Sequence, residues 1–267
     1  MKFLKYLTFI VLLASFCACN NNEGDSIEYS EVNFRVEVSN KDFTRSVGTG
    51  SIINTLYVEA TSQTGEKVRG EFPMSVENGG NARLSLAKDQ SYNIVFWAQW
   101  KDSPAYNITN LSNVVMNFPT EETEVVAMEK YDAFYSSLKS VFVDGSKSLN
   151  VELSRPLAQM NILSNNTFEK AQVKLTQIPT TFNTLEGTFG DYQDVTVTFD
   201  QTNNSEKLTV NGVEYKHLAM MYLFANPTGG DEYSCELVLT NGANSSTITL
   251  QEIKFESNCK TNIIGNY

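Results

Sequence analysis

Ten residues near the start of the chain, EVNFRVEVSN, suit only one regular backbone. Val32, Phe34, Val36 and Val38 occupy every second position, with Asn33, Arg35 and Glu37 between them. A period of two puts the four apolar side chains on one face of an extended strand, whereas a helix would spread them around its surface. The same alternation returns in INTLYVEAT, NARLSLA, SYNIVFWAQW and SLNVELS. After residue 154 it continues in LAQMNILS, AQVKLTQI, DVTVTFDQ, KLTVNG, HLAMMYLFAN, SCELVLTNG and STITLQEIKF. In SYNIVFWAQW, Tyr92, Ile94, Phe96, Ala98 and Trp100 share one face and Val95 and Trp97 the other, so this strand is expected to lie centrally, covered on both sides. Asn211-Gly212 and Asn241-Gly242 follow strand-like runs and suit hairpin turns, which need positive φ.

These runs predict an all-β protein, and 267 residues leave room for two cores. Two successive β-rich halves meet near SRPLAQMNI, which predicts two β-sandwiches, residues 29–154 and 155–267. Between Lys101 and Ser140 the alternation lapses into a long connection, expected to hold a helical turn or two around Ala133 to Leu138.

The N-terminus reads differently. Lys2 and Lys5 precede an apolar stretch from Leu7 to Phe16, followed by Cys17, Ala18, Cys19 and an abruptly polar NNNEGD. The stretch is shorter than the roughly 20 residues a spanning helix needs, and it has the layout of a secretory signal, residues 1–18. Cys19, preceded by the small Ala18, resembles the acylated cysteine of a bacterial lipobox; Cys17 follows the bulky Phe16 and fits less well. Each buried methylene contributes about 0.8 kcal/mol, so two or three acyl chains would hold the mature chain on a membrane. Processing before Cys19 removes Lys2 and Lys5 and takes the net charge from −11 to −13. Residues 19–28 then read as a tether.

Two further cysteines, Cys235 and Cys259, lie in or beside strand-like runs. A disulfide between them is one reading and two thiols packed as small apolar side chains the other. The basic residues form no cluster, so nucleic acid is not an expected partner. His217 is the single histidine, within YKHLAMMYLF; it leaves no multi-histidine metal site and reads as structural. Gly48 and Gly50 lack the lysine and context of a phosphate loop. The acidic runs EETE at 121–124 and GGDE at 229–232 lack the ligand spacing of a calcium loop and read as solvated surface. No residues point to a cofactor, a metal or a catalytic constellation, and the chain is read as a non-enzyme.

Taken together, the lipobox, the tether, KDFTRSVGTG after the first strand, VFWAQW, KYDAFYSS, LSRPLAQMNI and the ending CKTNIIGNY resemble the Bacteroidales fimbrillin-like family. The resemblance spans essentially the whole mature chain. It implies two transthyretin-like β-sandwich domains in a surface lipoprotein of the outer membrane. The implied role is a structural or adhesive fimbrial component, meeting other fimbrial subunits by donor-strand insertion and host or bacterial surface glycans or proteins by adhesion. It also implies that an arginine-specific protease cuts after the first strand and that a partner's strand fills the vacated groove. Arg45 is the candidate cleavage point, among Thr, Ser and Gly residues beyond that strand; a loop arginine that no protease recognises is the other reading. Arg35 lies within the strand and is expected to be shielded. Asp25-Ser26-Ile27 resembles the short O-glycosylation motif of exported proteins in these bacteria, with Ser26 as acceptor. Stalk subunits of the family need a C-terminal donor segment, and here Tyr267 directly follows what reads as the last strand, so a tip, anchor or accessory subunit is expected. The alternative is a non-polymerising glycan-binding lipoprotein that stacks Tyr and Trp rings on sugars.

Overall fold

The computed structural model describes residues 27–39, 48–227, 229 and 232–267. Strand β1 (Tyr29–Val38) follows the alternation of its sequence: Val32, Phe34, Val36 and Val38 are buried, and Asn33, Arg35 and Glu37 are exposed. β1 lies between β10 (Lys147–Leu153), which runs parallel to it, and β4 (Gly79–Ala87), which runs antiparallel. A second layer holds β3 (Lys67–Ser75), β2 (Thr55–Ser62), β5 (Gln90–Gln99) and β9 (Ala133–Val143), in that order. The layers connect at the β3-β4 hairpin, where only Met74–Gly80 and Ser75–Gly79 pair. Between them sits the first core, in which Phe34 meets Phe96 edge to face with centroids 5.2 Å apart.

β5 is covered on both sides, as its pattern requires. Tyr92, Ile94, Phe96 and Ala98 enter the first core, while Val95 and Trp97, with Tyr57 of β2, enter a second; Trp100, expected on the first face, lies past the end of β5 and is half-buried. That second core is built by two sheets. One has the order β14 (Lys207–Val210), β15 (Val213–Phe224), β11 (Leu157–Ser164), β18 (Lys260–Gly265). The other has the order β17 (Asn244–Lys254), β16 (Glu232–Asn241), β12 (Lys170–Asn183), β13 (Thr188–Asp200), β8 (Glu121–Glu122). The nearly all-β architecture therefore agrees with the sequence.

The long connection is where the structure departs from expectation. Residues 101–132 leave the first sandwich and pack into the core of strands that follow residue 154, through Tyr106, Leu111, Val114, Met116, Val125, Met128 and Tyr131. Two short strands, β6 (Tyr106–Asn107) and β7 (Val114–Met116), pair with each other, and β7 continues onto β12. The helical turn is a 3-10 helix at Val125–Tyr131, not at 133–138. The expected helix is the first half of β9. Phe134, Leu138 and Val141 mimic helical spacing because Ser140, at φ 53°, and a register shift opposite Tyr92 and Ile94 reverse the facing of β9 part-way along.

β3 carries Gly70 and Pro73, which obscure its alternation. It tolerates the missing amide donor because beyond the hairpin only one of its edges is paired. The Asn211-Gly212 turn has positive φ at both residues, 50° and 80°. The second turn sits one residue later than read, between Asn241 and Asn244, with Gly242 at φ 56°.

Candidate functional site: the first strand and the domain junction

β1 fills an interior slot. Its backbone pairs with β10 from Val32 to Val38 and with β4 from Tyr29 to Val36. Val32 and Val36 are 0% exposed, Phe34 1% and Val38 7%. Arg35 is shielded only at its backbone: its side chain is 72% exposed and pairs with Glu37 at 3.0 Å. A protease must draw an extended stretch of backbone into its own cleft, so the two flanking ladders protect the Arg35 peptide bond while the side chain stays in water. Arg45, Ser26, Cys19 and the whole of residues 1–18 lie outside the described residues.

Where β1 ends, Ser39 N donates to Leu153 O at 2.9 Å and the chain comes to the junction between the sandwiches. Arg155 organises this junction. Its Nε and one Nη grip both oxygens of Asp132 at 2.7 and 2.8 Å, in a pair whose side chains are fully buried. The same Nη donates to Gly48 O at 2.9 Å and the other to Asn258 Oδ1 at 2.6 Å, while the guanidinium lies 4.6 Å from the Phe134 ring centroid. Arg155 thus ties together the re-entry of the chain after β1, the end of the long connection and the turn before β18. Burial pushes the Asp132 pKa above the ordinary carboxylate value, although Arg155 and the Ala133 N–H both pull it back. Beside it, Glu129 accepts from Tyr222 OH at 2.8 Å, and burial raises its pKa as well. A Cβ at Gly48 would meet the Glu129 carboxylate, so a larger residue here requires that side chain to shift. A cavity of about 450 Å³ opens here, with Ser39, Phe134, Arg155, Phe189 and Asn258 among its walls. Arg155 sits within the quoted junction motif, yet its role escaped the sequence reading, because Asp132 and Asn258 reach it from distant segments.

The other sequence candidates fall elsewhere. Cys235 is buried in β16 and Cys259 is half-buried in the turn before β18; no disulfide joins them, and burial pushes the Cys235 pKa up to about 12. The small-apolar reading describes Cys235, whose side chain faces the second core. His217, on β15, meets Asn161 Oδ1 through Nε2 at 3.0 Å, and its pKa falls to about 4, chiefly through burial and then through the charge of Lys260. Glu122 pairs with Lys130 at 2.8 Å. Gly230 and Asp231 of the second acidic run lie outside the described residues. Among the described residues no three His, Cys, Asp or Glu side chains are grouped to hold a metal ion, and no helix is long and apolar enough to cross a membrane. Trp97 is fully buried and Trp100 half-buried, and the exposed large aromatics among the described residues, Tyr29, Phe142 and Tyr192, sit on three different strands.

Residues 23–267 match the model of a family of unknown function, DUF6562. The chain belongs to that family. No curated protein matches the chain. Among solved structures, a candidate adhesin from Bacteroides ovatus aligns over 98% of this chain and 99% of its own, with a TM-score of 0.52 at 10% identity. A candidate polysaccharide-binding protein from Bacteroides thetaiotaomicron aligns over 88% and 90%, with a TM-score of 0.54 at 9% identity. The fimbrial anchor protein Mfa2 from Porphyromonas gingivalis aligns over 79% and 78%, with a TM-score of 0.50 at 12% identity. At these identities the likeness is one of fold, and at that level this DUF6562 member meets the fimbrillin-like resemblance of its sequence.

Proposed function

We propose that this DUF6562 protein is a fimbria-related component of the cell surface, attached through acylated Cys19, whose first strand can be exchanged for a strand of another subunit. The observation that carries the reading is the interior position of β1, with two backbone ladders and four buried apolar side chains. A strand leaving that slot exposes two unpaired edges and an apolar groove, the kind of surface to which an incoming strand adds through main-chain hydrogen bonds and alternate side chains. A cut after Arg45 separates Cys19 and β1 together from the remaining chain, so departure of β1 would also free the body from its lipid. An uncut copy stays anchored with its own slot filled. The role of tip, anchor or accessory subunit follows from which of these states the cell keeps.

The experiment is digestion by an arginine-specific protease of chain beginning after Cys19, with fimbrial subunits of the same bacterium present, read by intact mass and unheated gel electrophoresis. One cut after Arg45, with β1 replaced in a complex that resists SDS, is the expected result. Resistance at Arg45, or a cut that leaves β1 seated in the presence of partners, overturns strand exchange and leaves a non-polymerising surface lipoprotein. The glycan-binding alternative draws on the description of the B. thetaiotaomicron structure. It lacks a platform of adjacent exposed rings among the described residues, and a glycan array tests it.

A further inference from the structure

Among the described residues, β17 pairs with β16 on one side and leaves its other edge open. From Asn244 to Gln251 this edge carries no charge and no proline, and only Ile248 and Leu250 of that run are not fully exposed. An open edge invites another strand, and folds guard such edges with charge, proline, bulges or brevity. The strands that end the other sheets, or the far side of this one, are guarded: β9 carries Lys139, β10 Lys147, β14 Lys207 and β18 Lys260, and β8 is the pair Glu121–Glu122. On β17 a guard comes only at the far end, where Gln251 and Glu252 together oppose one residue of β16 and Glu252 takes φ 57°.

The hairpin fixes which backbone groups face outward. Asn241 and Asn244 close a two-residue turn, and such a pair exchanges both of its hydrogen bonds. Alternation then turns Ser246 and Ile248 toward β16 and leaves the N–H and C=O of Ser245, Thr247 and Thr249 pointing to the open side. Side chains alternate as well. Ile248 and Leu250 pack against the second core yet stay half-buried, while Ser245, Thr247 and Thr249 lie on the outer face.

This segment is complementary to itself. Antiparallel pairing of two copies about Thr247 engages all three outward-facing residues: Thr247 lies opposite the partner's Thr247, and Ser245 opposite the partner's Thr249. Each of these pairs joins two hydroxyl side chains, a favourable cross-strand combination. On the inner row Ser246 meets the partner's Ile248 and Asn244 the partner's Leu250, so both half-buried apolar side chains gain cover. A two-fold interface sets one segment against itself, and an uncharged segment brings no like charges together even in a chain of net charge −11.

We propose that β17 is a self-association edge, through which two copies pair antiparallel over Asn244–Leu250 about a two-fold axis at Thr247. The sheet of β17, β16, β12 and β13 then continues across both molecules. One strand against another is a small contact, so the association is transient and rises with concentration. The inference is independent of Cys19, of Arg45 and of strand exchange, since β17 belongs to the second sandwich and leaves the slot of β1 untouched.

The test uses the mature chain from residue 20, which retains every described residue. Sedimentation velocity from micromolar to millimolar protein is expected to show the mass rising from one chain toward two. Thr247→Lys sets two ammonium groups against each other at the axis and is expected to abolish that rise, with circular dichroism and unfolding temperature unchanged because the position is exposed. Thr247→Cys reads the register: a hydrogen-bonded pair has its Cα atoms about 5.5 Å apart, which suits a disulfide. Mild oxidation should therefore give a covalent dimer with Thr247→Cys and not with Tyr192→Cys, an exposed position on β13. A natural chain that stays monomeric throughout overturns self-association and leaves the edge to a strand of another protein. A dimer unaffected by Thr247→Lys, or covalent dimer that is absent at 247 or equal at 247 and 192, overturns the pairing about Thr247.

Discussion

β1 and β18 pair with their neighbours in the same way and carry different loads. Each runs parallel to a strand beside the junction, β1 on β10 and β18 on β11, and Arg155 lies in the short link between β10 and β11. β1 is interior, with a second ladder to β4 and four buried apolar side chains. β18 is an edge strand whose residues are all at least partly exposed. Polar pairs help to hold that end of the chain: Asn161 Nδ2 donates to Asn262 Oδ1 at 2.8 Å, Asn165 Nδ2 to Asn266 Oδ1 at 3.0 Å, and Asn166 Nδ2 to Tyr267 O at 2.6 Å. At roughly 1.5–3 kcal/mol for each fully buried side chain, the apolar set of β1 contributes on the order of 6–12 kcal/mol. That matches the whole stability of a typical domain, about 5–15 kcal/mol. Position in the sheet, more than pairing type, decides which strand the fold cannot leave vacant.

Truncating one apolar side chain on each strand separates their contributions to stability. Phe34→Ala is expected to cost about 3–5 kcal/mol, because it removes a fully buried ring and leaves a cavity beside Phe96. Ile263→Ala in β18 is expected to cost about 1 kcal/mol, since its side chain is only half-buried. Urea unfolding of chain beginning at residue 20 measures both, and equal losses would erase the distinction between the strands.

Arg155→Met tests the element that serves both. Removing one partner of a buried ion pair is expected to cost about 3–5 kcal/mol, and adding Asp132→Leu should recover part of the loss. Since Arg155 holds Gly48 on the β1 side and Asn258 on the β18 side, hydrogen exchange in the single variant should quicken in both strands. Quickening in only one would show that the junction serves one sandwich alone.

Acid should act on the β18 side first. His217 pairs with Asn161 of β11, the neighbour of β18, and its folded pKa of about 4 lies below the ordinary 6.5. Between those values the unfolded chain takes up the proton and the folded chain does not, so this contribution is complete above about pH 6.5 and is lost as pH falls toward 4. The expected loss is on the order of 2–3 kcal/mol. Urea midpoints from pH 7.5 to 4 should fall less steeply for His217→Gln than for the natural chain. Parallel curves would remove His217 from the account. The smallest effect belongs to Ile264→Ser, an exposed position on the edge strand, expected to shift stability by no more than about 0.5 kcal/mol.

Strand by strand, the second half of the chain was legible because β12, β13 and β16 carry alternating runs, β11 and β15 carry largely apolar ones, and Gly212 and Gly242 mark two of its turns. β9 was not, since a bulge at Ser140 reverses its facing and imitates a helical stripe. β3 was hidden by Gly70 and by Pro73, and the proline is one that a strand with a largely unpaired edge can accommodate. In the candidate site, the four apolar residues of β1 were readable from spacing alone. Arg155 was not, because nothing local to an Arg-Pro sequence says that a carboxylate 23 residues earlier and an asparagine 103 residues later will surround it.

By itself the sequence determined which residues of β1 and β5 face inward, since a strand's facing is a local property of period two. Only the tertiary structure decided that residues 101–132 cross to the second core, that β1 is interior while β18 is an edge, and that one buried arginine joins the two. Strand order and long-range ion pairing depend on which distant segments close on one another, and the energies that choose among closures belong to contacts that no single segment contains.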